Sequence, residues 1–153
     1  MFIHDVCTAL DEADVMYAIV GGYAVSLHGA IRGTVDVDVA IQWSLKNLLQ
    51  AEKALKQMGL VSRIPINAES LFGCRDKYIQ ERNLIAWNFY DPCNPTKQVD
   101  LIVNYDIENI QNTKLVQTAL GQVRILSIDS LIKMKEASGR PQDLADVEAL
   151  KSL

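Results

Sequence analysis

The sequence predicts an α+β fold with α/β-type layers, a twisted mixed β-sheet flanked by helices. Three patterns carry that reading. Short apolar, β-branched runs are interleaved with stretches of helical periodicity; two hairpin patterns occupy the second half; two consecutive helical patterns close the chain. The 153 residues show no internal repeat and no linker, so 1–153 reads as a single domain, long enough to build a hydrophobic core without staples.

Residues 2–14 place Phe2, Ile3, Val6, Leu10 and Ala13 at roughly helical spacing, which predicts an amphipathic helix. Met16–Val20 reads as a short strand stopped by Gly21-Gly22, and residues 22–30 as a short helix that breaks near Gly29 or Gly33. Thr34–Gln42 alternates as a strand. Ser44 suits the N-cap of a helix over 45–58, closed by Gly59 at the C′ position. Val61–Ile66 is expected as a strand, whereas 69–82 carries only a weak helical pattern. Leu84–Tyr90 and Gln98–Val103 read as the arms of a hairpin around a turn at Asp91–Pro95. A second hairpin is expected over 114–126, turning at Gly121. Ser127 and Asp129 precede a helix to about 138, and Arg140-Pro141 opens a last helix.

Composition narrows the function classes. The hydrophobic (49%) and charged (22%) shares are those of an ordinary globular domain. No apolar run approaches the roughly 18 residues of a membrane span, and Met1–Asp5 has no basic region ahead of an apolar one, so neither membrane nor signal peptide is expected. Cys7, Cys74 and Cys93 are odd in number and widely spaced, with no Cys-x-x-Cys pair, which fits reduced thiols in a cytoplasmic protein. The net charge of −4 argues against a general nucleic-acid binder while allowing a local positive site. His4 and His28 offer no histidine-rich metal site.

Chemistry concentrates in Thr34-Val35-Asp36-Val37-Asp38-Val39. On a strand, Asp36 and Asp38 would share one face and the valines the other, with the two aspartate Cα atoms about 7 Å apart. Two like charges held that close invite a cation. Asp100, inside Val99-Asp100-Leu101-Ile102-Val103, is a third acid in a strand that reads as core. If the two strands pair, the three carboxylates converge and suit hard cations, Mg²⁺ above all. Two bridged ions would fit an in-line displacement that releases pyrophosphate. Gly21-Gly22 suits the same reaction, because glycines at a strand-to-helix turn let the backbone approach phosphate closely.

Gly21-Gly22, Gly29, Arg32, Thr34, Asp36 and Asp38, followed by Asp100 on a later strand, resemble the nucleotidyltransferase fold of the DNA polymerase β superfamily. The resemblance is closest to the small bacterial branch of antibiotic nucleotidyltransferases and abortive-infection-type toxins. Leu126–Lys135 followed by Gly139–Asp146 is similar to that branch's closing motif. The resemblance implies that Asp36, Asp38 and Asp100 are catalytic and bind metal (a two-ion Mg²⁺ site, with Mn²⁺ as a substitute). Asp36 and Asp38 would hold Mg²⁺–NTP, and Asp100 would serve as ligand and base. Gly21, Gly22, Arg32 and Lys135 fall to the nucleotide. The implied activity moves NMP from an NTP, ATP among the candidates, to a hydroxyl acceptor. That acceptor is a small hydroxyl compound, tRNA or protein, and a homodimer or a helical partner, as in toxin–antitoxin pairs, is a further implication. The alternative is a nucleotide- or protein-binding module of the same fold without turnover.

Plainer roles stand beside these. Asp36 and Asp38 also fit a solvent-facing edge strand, although Gly21-Gly22 and Asp100 weigh against that. Thr34 is expected to pack on the sheet, and Arg32 to pair with a carboxylate if it is structural. Ser26 reads as a helix-surface hydroxyl, and His28 as a satisfied, buried histidine. Lys135 is equally a charge on a helix face. Arg140, Asp143 and Asp146 read as an ion-pair and capping cluster. Trp43, Trp87 and Tyr90 read as packing residues, and Arg63, Arg75, Lys77 and Arg82 as a solvated surface.

Overall fold

Ile3, Val6, Cys7 and Leu10 form the buried stripe of α1 (Phe2–Glu12), which lies against the sheet. The computed structural model describes residues 1–153. After α1 come β1 (Tyr17–Val20), α2 (Gly21–Leu27), β2 (Val37–Ile41) and α3 (Leu45–Gln57). Then follow β3 (Val61–Ser62), α4 (Ala68–Gly73), α5 (Arg75–Arg82), β4 (Ala86–Asp91) and β5 (Asn94–Ile102). A 3-10 turn leads into β6 (Thr113–Thr118), β7 (Gly121–Leu126), α6 (Ile128–Ser138) and α7 (Pro141–Lys151). No helix is long and apolar enough to cross a membrane.

All seven strands join one mixed sheet in the order β3-β4-β5-β2-β1-β7-β6. β2 lies antiparallel to β1 and parallel to β5, and β1 is parallel to β7. This is the α+β, helix-flanked mixed sheet expected from the sequence. Val37, Val39, Val99, Leu101, Trp87 and Phe89 point to one face and are buried. Their alternates Asp38, Asp100 and Asn88 point to the other face and are only half-buried. One register row crosses the middle of the sheet as Val20, Asp38, Asp100 and Asn88.

Several boundaries differ from expectation. The strand expected over Thr34–Gln42 begins only at Val37, so Asp36 stands just ahead of it. Its partner β1 ends at Val20, opposite Asp38, where the chain turns into α2 and leaves residues 34–36 without a neighbour on that side. The Val61–Ile66 strand shrinks to Val61–Ser62, because Pro65 has no N–H to extend a ladder. The weakly helical 69–82 stretch is two helices. An Asn67–Ser70 capping box starts α4, and α5 buries no residue, which accounts for its poor periodicity. The first hairpin is tighter than expected, with Asp91 paired to Asn94 inside the predicted turn. Ser44 does cap α3, its hydroxyl oxygen accepting from the Asn47 N–H, and Gly59 follows with φ +88°.

Candidate active site

Asp38 and Asp100 are direct register neighbours on parallel strands β2 and β5. Burial pushes the Asp38 carboxyl up, with Asp100 and Asp36 adding repulsion and Lys135 offsetting part of it, so that it reaches about 7. Burial and Asp100 push Asp36 in the same direction. The three acids therefore share one electrostatic neighbourhood, with Asp38 and Asp100 as the close pair. They are not a closed cage: no three acidic, histidine or cysteine side chains converge as ready-made metal ligands. The donor chemistry nevertheless fits a hard divalent cation. A carboxyl driven to about 7 by burial, with neighbouring carboxylates adding to it, holds a proton where a cation would offset both the desolvation and the repulsion.

Gly21 opens α2 with φ +66°, and a Cβ placed on it would lie 1.9 Å from Asp38 Oδ2. Only glycine allows backbone and carboxylate to approach so closely here. Gly22 has a different neighbour, since a Cβ there would lie 2.6 Å from the Thr34 Cβ. It lets the segment carrying Asp36 lie down on α2, so Thr34 is a packing residue, but against this helix and not on the sheet as expected.

Asp100 is held from the adjacent strand. The Asn88 Nδ2 donates to Asp100 Oδ1 at 2.8 Å and to Gln98 Oε1 at 3.0 Å, while Asn88 Oδ1 accepts from Arg63 Nε at 2.8 Å. Sequence reasoning missed Asn88. Its signal is its place on the polar side of the Leu84–Tyr90 alternation, but the hairpin register is needed to set it opposite Asp100.

A cleft of about 490 Å³ opens beside the pair, between the sheet and α6. Gly21, Asp38, Asp100 and Lys135 line it, together with Ile85, Ile102, Tyr105, Leu131, Met134 and Arg140. Asp36, Gly22 and Arg32 are not among its lining residues.

Lys135 is only 7% exposed, and its Nζ lies 2.7 Å from Asp146 and 3.6 Å from Asp143. Arg32 donates from Nε to Asp146 Oδ1 at 3.0 Å, the carboxylate pairing expected of a structural arginine. Burial alone would raise Asp143, but hydrogen bonds from Arg140 and Ser138 and the charges of Arg140 and Lys135 bring it down to about 2. Asp146 is likewise lowered, with Lys135 and Arg32 outweighing its burial. Arg140, Asp143 and Asp146 are thus an ion-pair cluster, and it includes Lys135 and Arg32.

The remaining candidates have structural partners. The His28 Nε2 meets the Leu126 carbonyl at 2.7 Å, and the Ser26 hydroxyl donates to the Arg32 carbonyl. Trp87 is fully buried, while Trp43 stacks on Phe72 beneath the Arg75 guanidinium. Arg82 lies over Tyr78, so the three arginines of the middle segment have separate aromatic anchors.

No protein-family model matches the chain, and no curated protein matches it by sequence. Solved structures do match it in fold. The lincosamide antibiotic adenylyltransferase LnuA, solved with lincomycin bound, superposes with a TM-score of 0.65 at 9% identity, over 99% of this chain and 95% of that one. ANT(2")-Ia, solved in complex with adenylyl-2"-tobramycin, gives 0.63 at 14% identity, over 98% and 86%. An antigenic nucleotidyltransferase-like protein from Paracoccidioides brasiliensis gives 0.56 at 20% identity, over 95% and 72%. The chain has the nucleotidyltransferase fold.

Proposed function

We propose that this nucleotidyltransferase-fold chain transfers an NMP group from a nucleoside triphosphate to a hydroxyl acceptor, with pyrophosphate as the leaving group. The observation that carries the reading is the Asp38–Asp100 register pair against the Gly21 backbone, at the mouth of a cleft large enough for a nucleotide. The fold neighbours that are adenylyltransferases support the reaction class.

Asp36, Asp38 and Asp100 are the residues that would hold Mg²⁺, or Mn²⁺ in its place. The chemistry expected of divalent cations there is neutralisation of triphosphate charge and stabilisation of the leaving pyrophosphate. Gly21 lets the phosphates approach the main chain. Lys135 brings a cation to the cleft wall, and its two aspartates hold it in position. Asp100, fixed by Asn88, accepts the proton of the acceptor hydroxyl. Arg32 moors the Asp36 segment to Asp146 instead of reaching the nucleotide. Catalysis on this reading is positioning and charge neutralisation.

The test is transfer of label from α-³²P NTPs in the presence of Mg²⁺ and a cell extract. Asp36→Asn, Asp38→Asn and Asp100→Asn are each expected to lower pyrophosphate release by at least roughly a hundredfold while circular dichroism stays native. Undiminished transfer by all three variants would refute the assignment. Saturable NTP binding with no transfer in wild type would favour the binding-module alternative.

A further inference from the structure

The sheet face that carries Asp100 continues past the cleft toward the edge strand β3. Asn88 opposes Asp100 and Tyr90 opposes Gln98, so these polar residues share that face, with Trp87, Phe89 and Val99 buried behind them. Arg63, just after β3, lies across it. Its guanidinium carbon is 4.4 Å from the Tyr90 ring centroid, and its Nε donates to Asn88 Oδ1 at 2.8 Å. Stacking on one side and a hydrogen bond along one edge fix the plane of the fork, and its two terminal nitrogens make no bond within the chain. Among the cleft's cations Lys135 and Arg140 are each paired with an aspartate, while Lys133 has no ion pair but is a single ammonium without a planar fork. Arg63 has no acidic partner, and a single amide separates it from Asp100, the base of the proposed reaction.

We propose that Arg63, Tyr90, Asn88 and Gln98 form the acceptor subsite, and that the acceptor is a small hydroxyl compound bearing one anionic group, phosphate or carboxylate, gripped by Arg63. The inference rests on the nucleotidyl-transfer reading above. The anionic group occupies the guanidinium fork, which matches either oxyanion bidentately. The hydroxyl then lies at Asp100, a short molecular span away. Its oxygen forms a bond to the α-phosphorus of the NTP, and the bond from that phosphorus to the α,β-bridging oxygen breaks. Pyrophosphate leaves with the electron pair, and the hydroxyl proton passes to Asp100. The single stacked guanidinium of Arg63 suits one anionic group, and the net charge of −4 disfavours a long polyanion. The same guanidinium would repel a polycationic acceptor.

Two measurements test this. Metal-free, ¹⁵N-labelled protein is titrated with inorganic phosphate and, separately, with acetate, while the Arg63 Nε–H and Asn88 side-chain amide signals are followed. Saturable shifts at both residues, abolished in Arg63→Gln, are expected, and the stronger of the two anions identifies the group. Shifts confined to Gly21 and Gly22 would overturn the subsite and leave nucleotidyl transfer standing. If the protein binds no NTP around Asp38, the function reading fails even where Arg63 binds phosphate. In the second measurement, the small-molecule fraction of a cell extract is passed over ion exchangers and supplied with labelled NTP. Acceptor activity is expected on the anion exchanger, with kcat/KM roughly ten- to a hundredfold lower for Arg63→Gln, partly restored in Arg63→Lys, and an unchanged KM for NTP. Acceptor activity that flows through, binds the cation exchanger or resides only in macromolecules would overturn the proposal.

Discussion

Replacing Asp38 by asparagine should stabilise the metal-free protein strongly at pH 8.5, less at pH 5, and leave it unchanged only below about pH 3.8. The folded carboxyl is raised from 3.8 to about 7, chiefly by burial and then by Asp100 and Asp36. Between those values the native chain keeps a proton that the unfolded chain has released. By linkage its contribution is full below pH 3.8, falls as the pH rises, and is gone above about 7. That fall is worth at most about 4 kcal/mol. Asparagine cannot ionise, and its N–H can donate to Asp100 as the protonated carboxyl does. A gain of about 2–4 kcal/mol at pH 8.5 is therefore expected, a rise in Tm of about 4–12 °C for a domain of this size. Urea unfolding in EDTA at the two pH values measures it. Equal pH dependence in both proteins, or a variant less stable at pH 8.5, would refute the reasoning.

Asp146→Ala leaves Lys135, Arg32 and Gln142 without their shared acceptor and should cost about 2–4 kcal/mol in urea unfolding, because the buried Lys135 keeps only the longer contact to Asp143. Gly21→Ala combines φ +66°, worth about 1–2 kcal/mol, with a methyl on Asp38 Oδ2, so a lower Tm and loss of nucleotide transfer should appear together. Ser44→Ala removes the cap of α3 and should cost about 1 kcal/mol with transfer unaffected.

The acids were legible because carboxylates inside β-branched runs conflict with the local pattern, and Asp38 and Asp100 kept the strand positions that their neighbours imply. Ser44 and Gly59 bracketed α3 through local capping chemistry, which needs no tertiary knowledge. Asp36 was misplaced onto the strand because the end of a ladder is set by its partner: β1 stops at Val20 to become α2. Asn88 and Arg63 were illegible for a related reason. A register slip of one residue would have turned Asn88 to the other face, and only the Asp91–Asn94 turn pins it opposite Asp100. Lys135 and Arg32 carried a charge but no hint of direction. Their common partner Asp146 is 114 residues from Arg32, beyond any local pattern.

That separation gives the site a place in the order of synthesis. The glycine turn, the carboxylate strands and Asn88 all leave the ribosome well before Asp146. Until α7 folds, Arg32 has no carboxylate to hold the Asp36 segment, and Lys135 lacks both of its aspartates. A nascent chain stopped at Gly139 would own every acid of the candidate site and still lack the tether that sets the first of them. Competence for chemistry would thus arrive late and abruptly, as α7 docks, and a prematurely ended chain would be inert instead of partly active.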